Sequence, residues 1–379
     1  MQTVAVGALV TAGTGRATWT ALVAAGAFLP IGVLSPIGGA VADRLNRKPW
    51  LIAGYVAETA IAACLASVVY AGLTSPGLLT LLVALQGSVS ALVFPFQAAI
   101  LPDLVPQAEL LAAASLNSAQ FNVGRIIGPA LAGVTVAALG YGAAFAANAV
   151  SFLAVVVALL FIRLPAAGSR DPARLAERLR AGVRAAWADS GCRAAIGLIA
   201  VVALLASPFI ALVPAVARSL TDGSKEAVGT ATAVLTTAQG VGAVLGALAI
   251  APLAVRWGRG RILVAELIML CGALIVYASA ASLLLAAVAL ALVGAIYIGI
   301  LSGLQTVVQI RAPAAYRARI LSIYLVALGC LYPVGALVQG PLADSIGLRT
   351  VTTATATILF VVLIAVRARW PRVVTLLGE

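Results

Sequence analysis

Apolar residues in this chain gather into runs of about 20 positions, long enough for a helix rising 1.5 Å per residue to cross ~30 Å of hydrocarbon. Such runs fall at 17–42, 50–71, 78–101, 111–139, 142–163, 194–216, 228–254, 262–280, 282–309, 319–341 and 349–367. They predict eleven complete membrane-spanning helices. Ahead of them stands "QTVAVGALVTAG", about half a span. No basic segment precedes it, so it reads as the tail of a further helix 1 rather than a cleaved signal, with most of that helix missing and an in-frame start expected upstream. The alternating ~10-residue segments of a β-barrel are absent. The fold class expected is an all-α membrane protein.

Composition supports this reading. Hydrophobic residues make up 63% of 379 positions and charged ones 9%, too little polar surface to cover a soluble domain of this size. The net charge of +12 would suggest nucleic acid on a soluble protein. Here 19 of the 24 bases lie in alternate loops around 44–48, 163–193, 256–261, 311–319 and 367–372, while "AGLTSPG", "LGYG" and "SAAS" carry almost none. Nucleic acid is therefore not an expected partner, and the positive-inside rule makes the basic side cytoplasmic. The four cysteines form no CxxC pair and the chain has no histidine, which argues against disulfides, metal sites and bound cofactors. No GxSxG, paired-acid or metal pattern marks an enzyme. Arginine outnumbers lysine 22 to 2 and alanine is abundant, which hints at a GC-rich bacterial genome; the expected location is a bacterial cell membrane.

The chain is also internally duplicated. Pro106 and Pro313, Gly128 and Gly335, and Gly140 and Gly347 each stand 207 positions apart, and "GGAVADRLNRKP" returns about 212 residues later as "APLAVRWGRGR". A six-plus-six duplication is the pattern of transporters that rock two bundles about a midplane site. The expected organisation is an N-terminal bundle at 1–163, a linker at 164–193, a C-terminal bundle at 194–367 and a cytoplasmic tail at 368–379. In the linker, Leu175, Leu179, Val183 and Trp187 recur at helical spacing after Pro172. They form either an amphipathic helix on the inner leaflet or a solvated connector.

Two motifs carry a family resemblance. "GAVADRLNRK", Gly39 to Lys48, resembles the loop signature that follows the second helix in the major facilitator superfamily, with Asn46 where a glycine is expected. Asn tolerates the left-handed conformation best after glycine, so the turn is expected to survive. The resemblance implies that Gly39, Asp43, Arg44, Arg47 and Lys48 form a gating loop that braces the two bundles in the outward-open state. In the second copy Val255 replaces the acid, and the brace there is expected to be weaker or absent. "GRIIGPALAG" on the fifth helix is similar to the glycine–proline element of facilitator exporters, through Gly124, Gly128, Pro129 and Gly133. Gly124 and Gly128 are expected to let another helix approach, and Pro129 to bend the helix. Within the superfamily, "ILPDLVP" followed by "GRIIGPALAG…GYGAAFAANAVSFL" looks most like the enterobactin exporter and macrolide efflux branch.

Three ionisable residues lie inside apolar runs. A mid-membrane charge costs ~3 kcal/mol or more and normally faces a cavity or a partner. Arg125 is read as a group for substrate or proton coupling or as half of a structural ion pair; Glu58, the other deep charge of that half, is its candidate partner. Glu266 is read as structural. The amides Gln86, Gln97, Asn117, Gln120, Gln239, Gln305 and Gln309 are candidates to line a polar cavity. The resulting expectation is a monomeric, multi-pass secondary transporter of two six-helix bundles. It exports a siderophore-like or drug-like molecule by proton antiport, and its partners are the substrate, protons and the bilayer. An importer of the same fold and a transport-inactive sensor or assembly protein are the alternatives.

Overall fold

The computed structural model describes residues 2–42, 46–162, 183–313 and 316–370. Twelve α-helices account for most of them: α1 (Gln2–Thr14), α2 (Ala17–Ala42), α3 (Arg47–Tyr70), α4 (Pro76–Leu104), α5 (Leu110–Phe161), α6 (Ser190–Leu205), α7 (Phe209–Ser219), α8 (Lys225–Trp257), α9 (Arg259–Ala278), α10 (Leu283–Arg311), α11 (Arg317–Ile346) and α12 (Leu348–Arg369). Ten segments among the described residues are long and apolar enough to cross a membrane. The expectation of eleven is met because α5 holds two spans, broken at Gly140 (φ 81°, ψ 174°). That backbone is open to glycine and strained for any other residue. The α11–α12 junction breaks in the same way at Gly347 (φ 91°), the residue the internal repeat pairs with Gly140.

The repeat is visible in packing as well. In the N-terminal half α2 packs on α4 and α3 on α5; in the C-terminal half α8 packs on α10 and α9 on α12. Between the halves, α2 meets α11 and α5 meets α8. Small residues allow these approaches, because helices in lipid associate through van der Waals fit rather than a hydrophobic gradient. A Cβ at Gly87 would stand 2.5 Å from the Gly26 carbonyl oxygen, and one at Gly242 would overlap the Ala291 carbonyl.

Two local readings change. Asn46 is extended (φ −60°, ψ 120°) and opens α3 without a side-chain cap, so the left-handed turn expected of it is not formed. Its counterpart Gly258 does take the positive φ, at 87°, because glycine alone adopts it without a Cβ penalty. Helix α3 starts at Arg47 and holds Pro49 in its first turn. The seventh span is two helices, with a break at 206–208 that the hydropathy pattern does not reveal. Pro208 has no N–H to bond Leu204, and Phe209 bonds Ala206 instead of Leu205. Gln339 of α11, buried, donates Nε2 to both released carbonyls, at 3.2 Å to Leu204 and 3.0 Å to Leu205. A neighbouring side chain thus replaces the lost backbone bonds where water cannot. Of the linker helix, Val183 and Trp187 lie in a helical stretch at 183–188 and are exposed; 163–182 fall outside the described residues.

Candidate functional site

At the outer face, three side chains tie one half to the other. The Asp344 carboxylate, at the end of α11, accepts hydrogen bonds from Ala17 N–H at 2.6 Å, Thr18 N–H at 3.0 Å and Thr18 Oγ1 at 2.5 Å. The first amides of a helix have no intrahelical acceptor, and an anion there is favoured by the helix dipole. Asp344 therefore caps α2 from the opposite half. Arg218, at the end of α7, does the reverse. Its guanidinium donates to the Ala12 carbonyl at 2.6 Å, one of the orphan acceptors at the end of α1. The C-terminal half thereby holds both sides of the α1–α2 hairpin, an acid on the positive helix end and a base on the negative one. Tyr141 adds a bond across the α5–α8 seam, donating its hydroxyl to the Lys225 carbonyl at 2.7 Å.

Below these contacts the halves lie closely packed. Gly340 of α11 faces Ala21 of α2, where a Cβ would come within 2.6 Å of the alanine methyl. Phe28 and Tyr332 meet edge to face at 5.5 Å. Gly32 faces Cys330 about 22 Å below Ala17, counting 1.5 Å per residue. In the α5–α8 seam a Cβ at Gly133 would overlap the Ala233 methyl, and Pro129 is buried. Gly124 has nothing within 4 Å of its would-be Cβ, so the close approach expected there is made by Gly133 instead. An apolar groove of about 600 Å³ runs beside this seam between α5, α8 and α10.

At the cytoplasmic face, Asp43 and Arg44 of the candidate gating loop lie outside the described residues, and Gly39 is described as part of α2 only. Lys48 donates to the Leu160 and Ile162 carbonyls, at 3.0 and 2.8 Å. A cation on the last carbonyls of α5 is favourable, and this contact stays within the N-terminal half. In the other half Arg311 grips Asp189, with Nε and one terminal nitrogen at 3.1 and 3.2 Å from its two oxygens. Burial raises the Asp189 carboxyl, but the Arg311 bonds and charge and the Cys192 N–H outweigh it and hold it below the ordinary carboxylate value.

Of the deep charges, Glu58 is 4% exposed in α3 and accepts a hydrogen bond of 2.5 Å from Ser90 Oγ on α4. The Arg125 side chain lies outside the described residues. One turn from Ser90 on α4, the Gln86 amide is buried at both ends without a partner among the described residues. Gln239 is likewise buried, whereas Gln97, Asn117 and Gln120 are exposed. Glu266 lines a cleft of about 430 Å³ between α8, α9 and α10 and has no hydrogen-bond or ion-pair partner among the described residues.

Hydropathy and motif matching did not single out Asp344 and Arg218. A signal was present: both are charges on the side that holds few of the bases.

A family profile described as transmembrane secretion effector matches residues 1–376. The multidrug efflux pump Tap of Mycolicibacterium fortuitum is 28% identical over 345 residues, 88% of this chain and 83% of its own. The staphyloferrin A transporter of Staphylococcus aureus is 33% identical over 133 residues, 35% of this chain and 34% of its own. Among solved structures, a bacterial homologue of the human lysosomal transporter Spinster, in an inward-facing and unoccupied conformation, aligns with a TM-score of 0.73 at 17% identity. It covers all of this chain and 96% of its own. The nucleoside transporter NupG aligns with a TM-score of 0.74 at 15% identity, over 97% and 96%. A duplicated helical fold and a profile match running almost end to end lead to one conclusion: the chain belongs to the major facilitator superfamily, in its transmembrane secretion effector family, and is a multi-pass membrane transporter rather than an enzyme.

Proposed function

We propose that the protein exports a small organic molecule, drug-like or siderophore-like, by alternating access coupled to inward proton movement. The observation that carries this reading is the outer closure, in which Asp344 and Arg218 hold opposite ends of the α1–α2 hairpin. Both contacts join the two halves and both are exchangeable for water, as a gate between rocking bundles requires. With the outer face shut, this is the state in which an exporter loads from the cytoplasm. The multidrug efflux pump and the staphyloferrin A transporter among the relatives support the substrate classes. In the opposite state the outer contacts break and Asp43, Arg44, Arg47 and Lys48 brace the cytoplasmic side. Glu58 is the coupling acid of the N-terminal half: its carboxyl is buried mid-span on a hydroxyl partner, where a proton and a charge exchange at high energetic leverage. Arg125, on the adjoining α5, binds the anionic group of the substrate or Glu58 in turn.

Everted membrane vesicles with an imposed pH gradient test the reading. A fluorescent drug-like probe and a carboxylate siderophore are offered separately. Gradient-dependent accumulation of either supports export, and accumulation only in right-side-out vesicles overturns its direction. Glu58→Gln is expected to abolish gradient-driven accumulation and to spare downhill exchange, whereas Arg125→Ala loses both. Normal uphill export by Glu58→Gln removes Glu58 as the coupling acid.

A further inference from the structure

The cleft that ends at Glu266 is not used by the reading above. It begins among the cytoplasmic ends of α8, α9 and α10, where Ala254, Arg259 and Ile310 line its mouth, and runs inward to Glu266 and Gly299. Glu266 stands seven residues beyond Arg259, about 10 Å deeper into the membrane. Gly299 makes the room: a Cβ there would overlap the Glu266 carboxylate.

Apart from Arg259 at the mouth, the polar lining has one chemical sense. Ser302 gives its hydroxyl hydrogen to the Ile298 carbonyl at 2.5 Å, and Thr306 gives its own to the Ser302 carbonyl at 2.8 Å. Each hydroxyl has then spent its donor, and only its lone pairs remain for the cleft. Together with the carboxylate, these oxygens form a wall of acceptors. The rest is apolar: Ile250, Ile262, Leu263, Val307 and Ile310. A membrane-embedded carboxylate without a donor is costly and calls for a cationic or proton partner. Arg259 lines the mouth but does not bond Glu266. An occupant matching this wall has positive charge, several N–H donors at one end and an apolar body behind them.

We propose that the cleft between α8, α9 and α10 binds aliphatic primary ammonium compounds from the cytoplasmic side, the ammonium on Glu266, Ser302 and Thr306 and the apolar body along Ile262, Leu263 and Val307. The site stands apart from the seam between the halves and does not depend on the direction or coupling of transport.

Binding to the purified full chain in nanodiscs of zwitterionic lipid decides it, read by fluorescence anisotropy. The probe is monodansylcadaverine, a primary ammonium on an apolar fluorophore. Its N-acetyl derivative has no charge, and its trimethylammonium derivative has charge without donors. Expected are saturable binding of the primary amine, weaker binding of the quaternary one and none of the acetylated one. Glu266→Gln removes the ionised partner of a charge-assisted bond and should weaken primary-amine binding by about tenfold or more. Thr306→Val keeps the shape, removes one acceptor and should weaken it by about threefold. Arg259→Ala removes a competing cation at the mouth and should leave binding equal or tighter. Equal binding of all three probes would mean an apolar sink, and unchanged binding by Glu266→Gln would place the amine elsewhere. No saturable binding to the wild-type chain would leave a proton as the occupant of Glu266. Each of these three results overturns the proposal.

Discussion

Replacing Asp344 with alanine should release the outer face. The carboxylate accepts three hydrogen bonds from the start of α2, two of them from amides that have no intrahelical acceptor. Loss of an N-terminal cap costs about 1 kcal/mol, and loss of an anion at the positive end of the dipole a further ~0.5–1 kcal/mol. The carboxylate is solvent-exposed, which holds both figures at the modest end, so the closed state should lose about 1.5 kcal/mol. Since 1.4 kcal/mol is a factor of ten, the ratio of closed to open molecules should fall by roughly tenfold. An asparagine in its place would still offer a capping oxygen without the charge, so Asp344→Asn should recover most of the cap and move the ratio only about threefold. The measurement is a distance distribution by electron paramagnetic resonance between labels at Leu73 and Ala281, in the outer turns of opposite halves, with the four native cysteines replaced. The alanine variant should populate a longer distance, and added salt should lengthen the wild-type distribution slightly by screening the same contact. An alanine variant with the wild-type distribution would refute the assignment of Asp344 as the outer lock.

Other perturbations read other parts of the structure. Gly133→Val places a side chain where even a methyl overlaps Ala233, so it should open the α5–α8 seam and lower transport. Gly133→Ala combined with Ala233→Gly should transport better than Gly133→Ala alone, and failure of that rescue would deny the contact. Gln339→Ala strands the Leu204 and Leu205 carbonyls in the membrane and should cost about 2 kcal/mol, seen as a lower Tm in micelles; an unchanged Tm would mean another group satisfies them. The Asp189 carboxyl is held below its unfolded value, so the stability it adds is present above that value and is lost as pH falls through the lower, folded one. Thermal unfolding of Asp189→Asn should therefore fall below wild type at neutral pH and converge with it below about pH 4.

What the chain determines by itself is whatever depends on neighbours in sequence. Runs such as 262–280 and 282–309 become α9 and α10 because twenty apolar residues in lipid must satisfy their own backbone, and only a helix does so locally. The side of the membrane follows from where arginines cluster, a property of each loop alone. The breaks at Gly140 and Gly347 were legible from the repeat because the positive φ is open to glycine and closed to most other residues. Asn46 marks the edge of this reasoning: tolerance of a conformation is not a requirement for it, and the chain there is extended.

Tertiary structure alone decided the partnerships. Asp344 caps a helix that begins 327 residues earlier, and Arg218 meets a carbonyl 206 residues away, so no window along the chain holds both members. Gln339 was not among the amides picked out along the chain, and its role follows only from α11 lying against the Pro208 break. Glu266 read as structural along the chain, and only the packing of α8, α9 and α10 showed that it lines a cleft. Helix formation is a short-range balance between backbone hydrogen bonds and lipid, and sequence records it position by position. Which helix ends and side chains then meet depends on how whole helices fit, and in lipid that fit is set by small residues and surface shape distributed across distant segments.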